Sequence, residues 1–144
     1  MYLMDRKIFK ANDIRGKYPG EIKEEIVSKI SETMGGYFRL KNKKSGRQVK
    51  IAVCHDARLS SPSLYKVITN GLKHSNVLKN IRIEIIGAGI ATTPMFYFLV
   101  NKLKADGGIM ATASHNPKEY NGLKIVGKKA MPISGKEIEK LLIL

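Results

Sequence analysis

Cysteine is almost missing from this 144-residue chain: Cys54 is the only one. No intrachain disulfide can form, which fits a reducing compartment, and a cytoplasmic location is expected. Long apolar runs are missing too. The longest, such as Met95–Val100, stop well short of the roughly 20 residues that carry a helix across a bilayer. The opening MYLMDRKIFK has no long apolar core with a small-residue cleavage site, so no secretory leader is expected. No repeat, low-complexity tract or Pro/Gly linker divides the chain, and its length suits one domain over 1–144. Acidic residues are scarce: 12 against 26 Lys and Arg, a net charge of +14. Such an imbalance is read as a nucleic-acid surface, an anionic small substrate or a Lys-rich solvated face. The densest basic stretch, Arg39–Lys50, carries Asn42, Ser45 and Gly46 among its lysines, the composition of a connecting loop. No aromatic lies between Lys41 and Lys50 to stack on a base. Neither nucleic acid nor a membrane is therefore expected as a partner.

What is present is an alternation of helix and strand patterns. Ile8–Ala11 reads as a short first strand. Over Glu21–Phe38, Ile22, Ile26, Ile30 and Met34 recur every four residues on one helical face. Gln48–Cys54 reads as a buried strand. A helix follows from Ser61, with Pro62 at its first position and Leu64, Val67, Ile68 and Leu72 on one face. Ile81–Ile86 is the next strand, and Thr93-Pro94 repeats the cap-plus-proline start of a helix running to about Lys104. Gly107–Thr112 and Leu123–Val126 are strands, and Ser134–Leu144 is a final helix. The pattern predicts an α/β three-layer sandwich: a mixed, mostly parallel sheet with helices on both faces. Only Ala113–Gly122 separates the last two strands, too little for a parallel crossover, so they form an antiparallel hairpin at the sheet edge. Ligands of such sheets lie beyond the carboxyl ends of the parallel strands. Asn12–Gly16, His55–Ser60 and Ala113–Asn121 should gather there.

Gly107–Val126 reads GGIMATASHNPKEYNGLKIV. Small residues let the chain turn tightly and leave the Ser114 hydroxyl exposed. Pro117 holds Asn116 extended, and Asn121-Gly122 signals a turn into the return strand. Taken alone, this is also the composition of an ordinary polar hairpin loop. Two further segments stand out. In Lys10-Ala11-Asn12-Asp13-Ile14-Arg15-Gly16, Asp13 either pairs with Arg15 or caps a turn, and the Arg15 fork suits a phosphate. In Val53-Cys54-His55-Asp56-Ala57-Arg58, His55 has no other histidine at metal-ligand spacing, since His74 and His115 lie far along the chain. Gly87-Ala88-Gly89 lacks the third glycine of a dinucleotide fingerprint, and Pro94 starts the helix instead. No G-x-S-x-G elbow surrounds Ser114.

TASHNPKEYNGLKI resembles the phosphoserine loop of the α-D-phosphohexomutases, the phosphomannomutase/phosphoglucomutase family. KANDIRG resembles that family's opening strand and D-I-R-G turn, His55–Arg58 its G-x-D-x-R segment, and Gly89–Pro94 its G-x-x-x-T-P segment. The resemblance covers nearly all of the chain and corresponds to the family's N-terminal domain I. It implies interconversion of hexose 1- and 6-phosphates through a phosphoserine and a 1,6-bisphosphate. Ser114 is then the phosphoryl carrier, with His115, Lys124 and Arg15 as catalytic residues. Arg58, Asn116 and Asn121 support the loop and the substrate. The resemblance also implies Mg2+, bound through the phosphoryl group of Ser114 and completed by a D-G-D-x-D loop that this chain does not contain, and a hexose 1,6-bisphosphate activator. The implied partners are a phosphosugar substrate and the three other domains of the family, without which this chain should not turn over substrate. The alternative reading is a non-catalytic module whose basic surface binds an anionic partner.

Overall fold

The computed structural model describes residues 4–143. The elements are β1 (Ile14–Lys17), α1 (Glu24–Asn42), β2 (Val49–His55), α2 (Ser61–His74), β3 (Ile83–Ile90), α3 (Thr93–Lys102), β4 (Gly107–Ala111), β5 (Tyr120–Gly127) and α4 (Gly135–Ile143). One five-stranded sheet runs in the order β1-β5-β4-β2-β3. β2 pairs parallel with β3 and β4, whereas β5 pairs antiparallel with β4 and β1. The hairpin is therefore present, and β1 lies outside it as the outermost strand.

Strand side chains alternate between faces, and the two cores follow that alternation. Val49, Ile51, Val53, Ile109, Leu123 and Ile125 join the core with Ile30, Met34 and Phe38 of α1, Leu64, Ile68 and Leu72 of α2, and Ile138 of α4. Ala52, Cys54, Met110 and Val126 face the other way, onto Phe96 and Val100 of α3. The four-residue step Ile22, Ile26, Ile30, Met34 is buried along its whole length. Each fully buried Leu or Ile contributes about 1.5–3 kcal/mol relative to exposure. α1 and α2 approach closely because both are notched: a Cβ on Gly35 would stand 2.5 Å from the Leu72 carbonyl oxygen, and one on Gly71 2.6 Å from the Ser31 Cβ.

Four expectations are corrected. Ile8–Ala11 is not a strand: Arg6–Ile8 form a single 3-10 turn, and only Phe9 makes a bridge, to Ile14. The segment Ile14-Arg15-Gly16 is not a turn but most of β1, because β5 offers it a complete ladder from Ile14↔Leu123 to Lys17↔Tyr120. Asn121-Gly122 lies within β5, and the turn comes earlier, where the Tyr120 amide donates to the Pro117 carbonyl at 3.0 Å. Finally, Thr92 rather than Thr93 caps α3; its hydroxyl accepts from the Met95 amide at 3.3 Å.

At the end of the sheet where β2 and β4 begin, Asp106 ties the layers together. Its fully buried carboxylate accepts from Arg47 (2.7 and 3.1 Å) and from the Lys50 amide (2.9 Å). The opposite end, where β4 runs out, carries the loops described next.

Candidate active site

β4 ends at Ala111, and the chain turns sharply at Ser114, whose φ of 55° is left-handed. For a residue with a Cβ this conformation costs on the order of 1–3 kcal/mol and persists only where the surroundings enforce it. Here the enforcement is visible. The Ser114 amide donates to the Thr112 hydroxyl oxygen (3.0 Å), and the Asn116 amide (3.1 Å) and side-chain Nδ2 (2.8 Å) both donate to the Ala113 carbonyl. Arg58 reaches in from the β2–α2 loop and donates to four loop carbonyls: Pro117 (2.7 Å), Tyr120 (3.1 Å), Ser114 (3.0 Å) and Asn116 (2.7 Å). One planar guanidinium, with its fan of donors, thus sets the shape of the loop.

Asp56 holds the guanidinium in turn. Its carboxylate accepts from the Arg58 amide (3.0 Å), Arg58 Nε (3.2 Å), the Thr112 hydroxyl (2.8 Å) and the Ser61 hydroxyl. Burial alone would raise its pKa. The hydrogen bonds from Ser61, the Arg58 amide and Thr112, with the Arg58 charge, outweigh that and hold it below the usual carboxylate range. Asn121, fully buried, ties β5 to the start of α2 by donating to Ser60 (2.7 Å) and Ser61 (3.0 Å) and accepting from the Gly122 amide (2.8 Å). Gly122 beside it is obligatory: a Cβ there would lie 1.8 Å from the Ile14 carbonyl oxygen of β1.

The sequence-predicted residues do not all share one wall. Ser114 and His115 are exposed and line a cavity of about 830 Å³ with Asp56, Thr92, Thr93 and Met95. Arg15 lines a second cavity of about 430 Å³ with Lys7, Lys10 and Asn12. Asn116 and Tyr120 line this one, so the Ala113–Asn121 loop is the partition between the two. Arg15 pairs with buried Asp13 at 2.6 Å, the pairing alternative of its motif. Arg15 stands opposite Gly122, and Lys124 is two residues further along β5, opposite Met110. Arg15 and Lys124 are therefore diagonal neighbours on the sheet face that carries α3. The ammonium of Lys124 lies 5.8 Å from the ring centroid of Tyr97 in α3. His55 is turned away from the loop: Nδ1 lies 2.7 Å from the Asp56 carbonyl oxygen and the ring meets Tyr65 edge-on.

Asp56, Thr112 and Tyr97 are given no site role by the sequence. Asp56 had a signal, the D-x-R spacing that lets one residue clamp the next but one. Thr112 and Tyr97 had none, because their roles depend on strand register and on where α3 lands. Among the described residues, no three His, Cys, Asp or Glu side chains group as metal ligands. Asp56 is the one carboxylate lining the Ser114 cavity, and its oxygens are already occupied by four donors. The residues present do not by themselves form a magnesium site.

Residues 6–142 match the family model described as phosphoglucomutase/phosphomannomutase, alpha/beta/alpha domain I. The chain is 39% identical over 126 residues to the phosphohexose mutases protein of Xanthomonas campestris pathovar campestris, covering 88% of this chain and 25% of that protein. It is 37% identical over 139 residues to the phosphoglucosamine mutase of Lactobacillus acidophilus, covering 94% of this chain and 29% of that protein. The crystal structure of a phosphoglucomutase/phosphomannomutase family protein from Burkholderia thailandensis superposes with a TM-score of 0.79 at 28% identity, over 96% of this chain and 30% of that one. The chain thus spans about a quarter to 30% of the length of the relatives it matches. With that family model matched over nearly its whole length, the chain belongs to the phosphoglucomutase/phosphomannomutase family, as its alpha/beta/alpha domain I.

Proposed function

We propose that this chain is the phosphoserine-loop domain of a phosphohexomutase, and that Ser114 carries the phosphoryl group between hexose 1- and 6-phosphates. The observation that carries this reading is Ser114 itself. It is an exposed hydroxyl on a left-handed residue, on a loop whose carbonyls are gripped by one arginine. Such pre-positioning is what phosphoryl transfer asks of a protein, since the reaction needs geometry and charge compensation more than covalent help.

In the proposed step the sugar hydroxyl oxygen forms a bond to phosphorus as the bond from phosphorus to Ser114 Oγ breaks. As Ser114 Oγ leaves, it takes a proton from the Lys124 ammonium, and the proton of the attacking sugar hydroxyl restores that ammonium. The resulting 1,6-bisphosphate turns around and gives its other phosphoryl group back to Ser114. The Lys124 ammonium supplies positive charge to a group bearing close to two negative charges, and Arg15, across the loop, offers a guanidinium to the phosphate of the substrate. His115 borders the Ser114 cavity, and in this reading it orients the phosphoryl group by a hydrogen bond. Magnesium bound to the phosphoryl group, when present, offsets the remaining charge; its carboxylate ligands come from outside this chain. The rest of a longer mutase, in one polypeptide or assembled, supplies those ligands and closes the cleft around the phosphosugar in the cytoplasm.

Intact-mass analysis and peptide mapping after incubation with a hexose 1,6-bisphosphate and magnesium, in the presence of the remaining family domains, test the reading. One phosphoryl group on Ser114, absent from Ser114→Ala, is expected. A phosphoryl group on another residue with Ser114 unmodified refutes it.

A further inference from the structure

Lys124, on the sheet face that carries α3 and opposite Met110, which lines the Ser114 cavity, has an unusual partner. Among the described residues its ammonium meets no carboxylate and no hydrogen-bond acceptor; its contact is the ring of Tyr97, at 5.8 Å. A lysine has four rotatable side-chain bonds and loses much rotamer freedom when it is fixed. A ring face can supply that fixing, because it attracts an ammonium without accepting any of its protons in a directed hydrogen bond. A carboxylate would fix the lysine more firmly but would compete with an incoming phosphate for the same N–H donors. The ring leaves all three donors available.

Tyr97 is itself held in place. It packs against the core between α3 and the sheet and meets Phe96 at 5.8 Å between ring centroids. Its helix is anchored by the Thr92 cap, one turn before it, and Thr92, Thr93 and Met95 of that first turn line the cavity of Ser114. The helix that walls the phosphoserine cavity is thus the helix that holds the lysine.

We propose that Tyr97 is a positioning residue. Its ring face holds the Lys124 ammonium on the α3 side of the cleft and presents the three N–H donors to the phosphate of the substrate or of Ser114. This rests on the reading of Lys124 as a site residue given above, and goes beyond it by naming the group that orients the lysine.

The test uses the 144-residue chain with its lysines labelled with 13C at Cε during expression, so that every ammonium keeps its three N–H donors. The Lys124 signal is assigned by its loss in Lys124→Met. It is expected upfield of the other lysines through the ring current, to stay there in Tyr97→Phe and to return to the common envelope in Tyr97→Leu. Circular dichroism confirms that each variant is folded. Titration with glucose 1,6-bisphosphate should move the Lys124 signal in the wild type and Tyr97→Phe. In Tyr97→Leu the apparent affinity should be about two- to five-fold weaker, the fold-change matching the usual worth of such a contact. A wild-type signal inside the envelope overturns the proposal. An upfield signal that titrates equally well in Tyr97→Leu overturns the positioning role and leaves Lys124 as a site residue. An upfield signal that no bisphosphate moves overturns both.

Discussion

Replacing Asp56 by Asn tests whether one carboxylate sets the shape of the Ser114 loop. Asp56 accepts from four donors: the Arg58 amide and Nε, the Thr112 hydroxyl and the Ser61 hydroxyl. Asparagine keeps the volume but turns one oxygen into a donor, so two of the four lose their acceptor and the Arg58 charge loses its counter-ion. Each buried donor left unsatisfied costs about 1–3 kcal/mol. Thr112 and Ser61 can rotate their hydroxyls toward other partners, which favours the lower end, so the total loss should be about 2–4 kcal/mol. The pH dependence has a definite sign. The folded-state pKa of Asp56 lies below its unfolded value, so its contribution is present above the ordinary carboxylate pKa of about 3.9 and fades as pH falls through the folded value. Urea unfolding of wild type and Asp56→Asn should therefore show the full difference at neutral pH and a smaller one in strong acid. The Ser114 amide resonance should shift in the variant. Equal stability at neutral pH, or a difference that stays constant into strong acid, refutes the assignment of Asp56 as the hub.

Other outcomes are expected for the same molecule. In a complete mutase, Lys124→Met should lower kcat by about two to four orders of magnitude, the usual worth of general acid–base catalysis; a rise in KM with kcat unchanged would make the lysine a phosphate clamp instead. The 144-residue chain alone should show a folded circular dichroism spectrum and no mutase turnover above a Ser114→Ala control in a coupled assay with magnesium and bisphosphate, because the carboxylates that would offset the phosphoserine charge are not in it. Asp106→Ala should destabilise the domain by about 1–3 kcal/mol in urea titrations, because it leaves the Lys50 amide unsatisfied, whereas half-exposed Arg47 returns to water. Cys54 should resist alkylation in the native state at pH 8 and react fully in denaturant, because burial raises its thiol pKa to about 11; prompt native-state labelling would contradict its place under α3.

The parts of the fold legible in the sequence are those governed by local periodicity. The four-residue step of Ile26, Ile30 and Met34 reports the core face of α1 because a helix places those positions in one row whatever else it touches; Ile22 is buried too, but from the bend before the helix, which starts at Glu24 and not at Glu21. The Ser114 loop was legible for a related reason. A small-residue strand running into a serine, followed by Pro117, constrains the backbone locally, and the motif carrying that constraint is long enough to identify a family.

Elements defined by their partners were not legible. β1 has four residues, one of them glycine and two of them charged, and nothing in them marks a strand; β5 makes it one by offering a ladder. Asn121-Gly122 has the sequence of a turn and the position of a strand. Its glycine answers to the β1 backbone 1.8 Å from where a Cβ would be, and its asparagine to the Ser60 and Ser61 hydroxyls. The sequence by itself thus determined the α/β alternation, the antiparallel hairpin and Ser114 as the residue to watch. Only the tertiary structure decided that Arg58 and Asp56 enforce the loop, that Arg15 and Ser114 lie on opposite sides of it, and that Lys124 rests on Tyr97. The contacts of Arg58 and Asp56 with the loop, and of Lys124 with Tyr97, join residues 27 to 62 positions apart, and no periodicity within a single element encodes which strand edge or helix face will meet another.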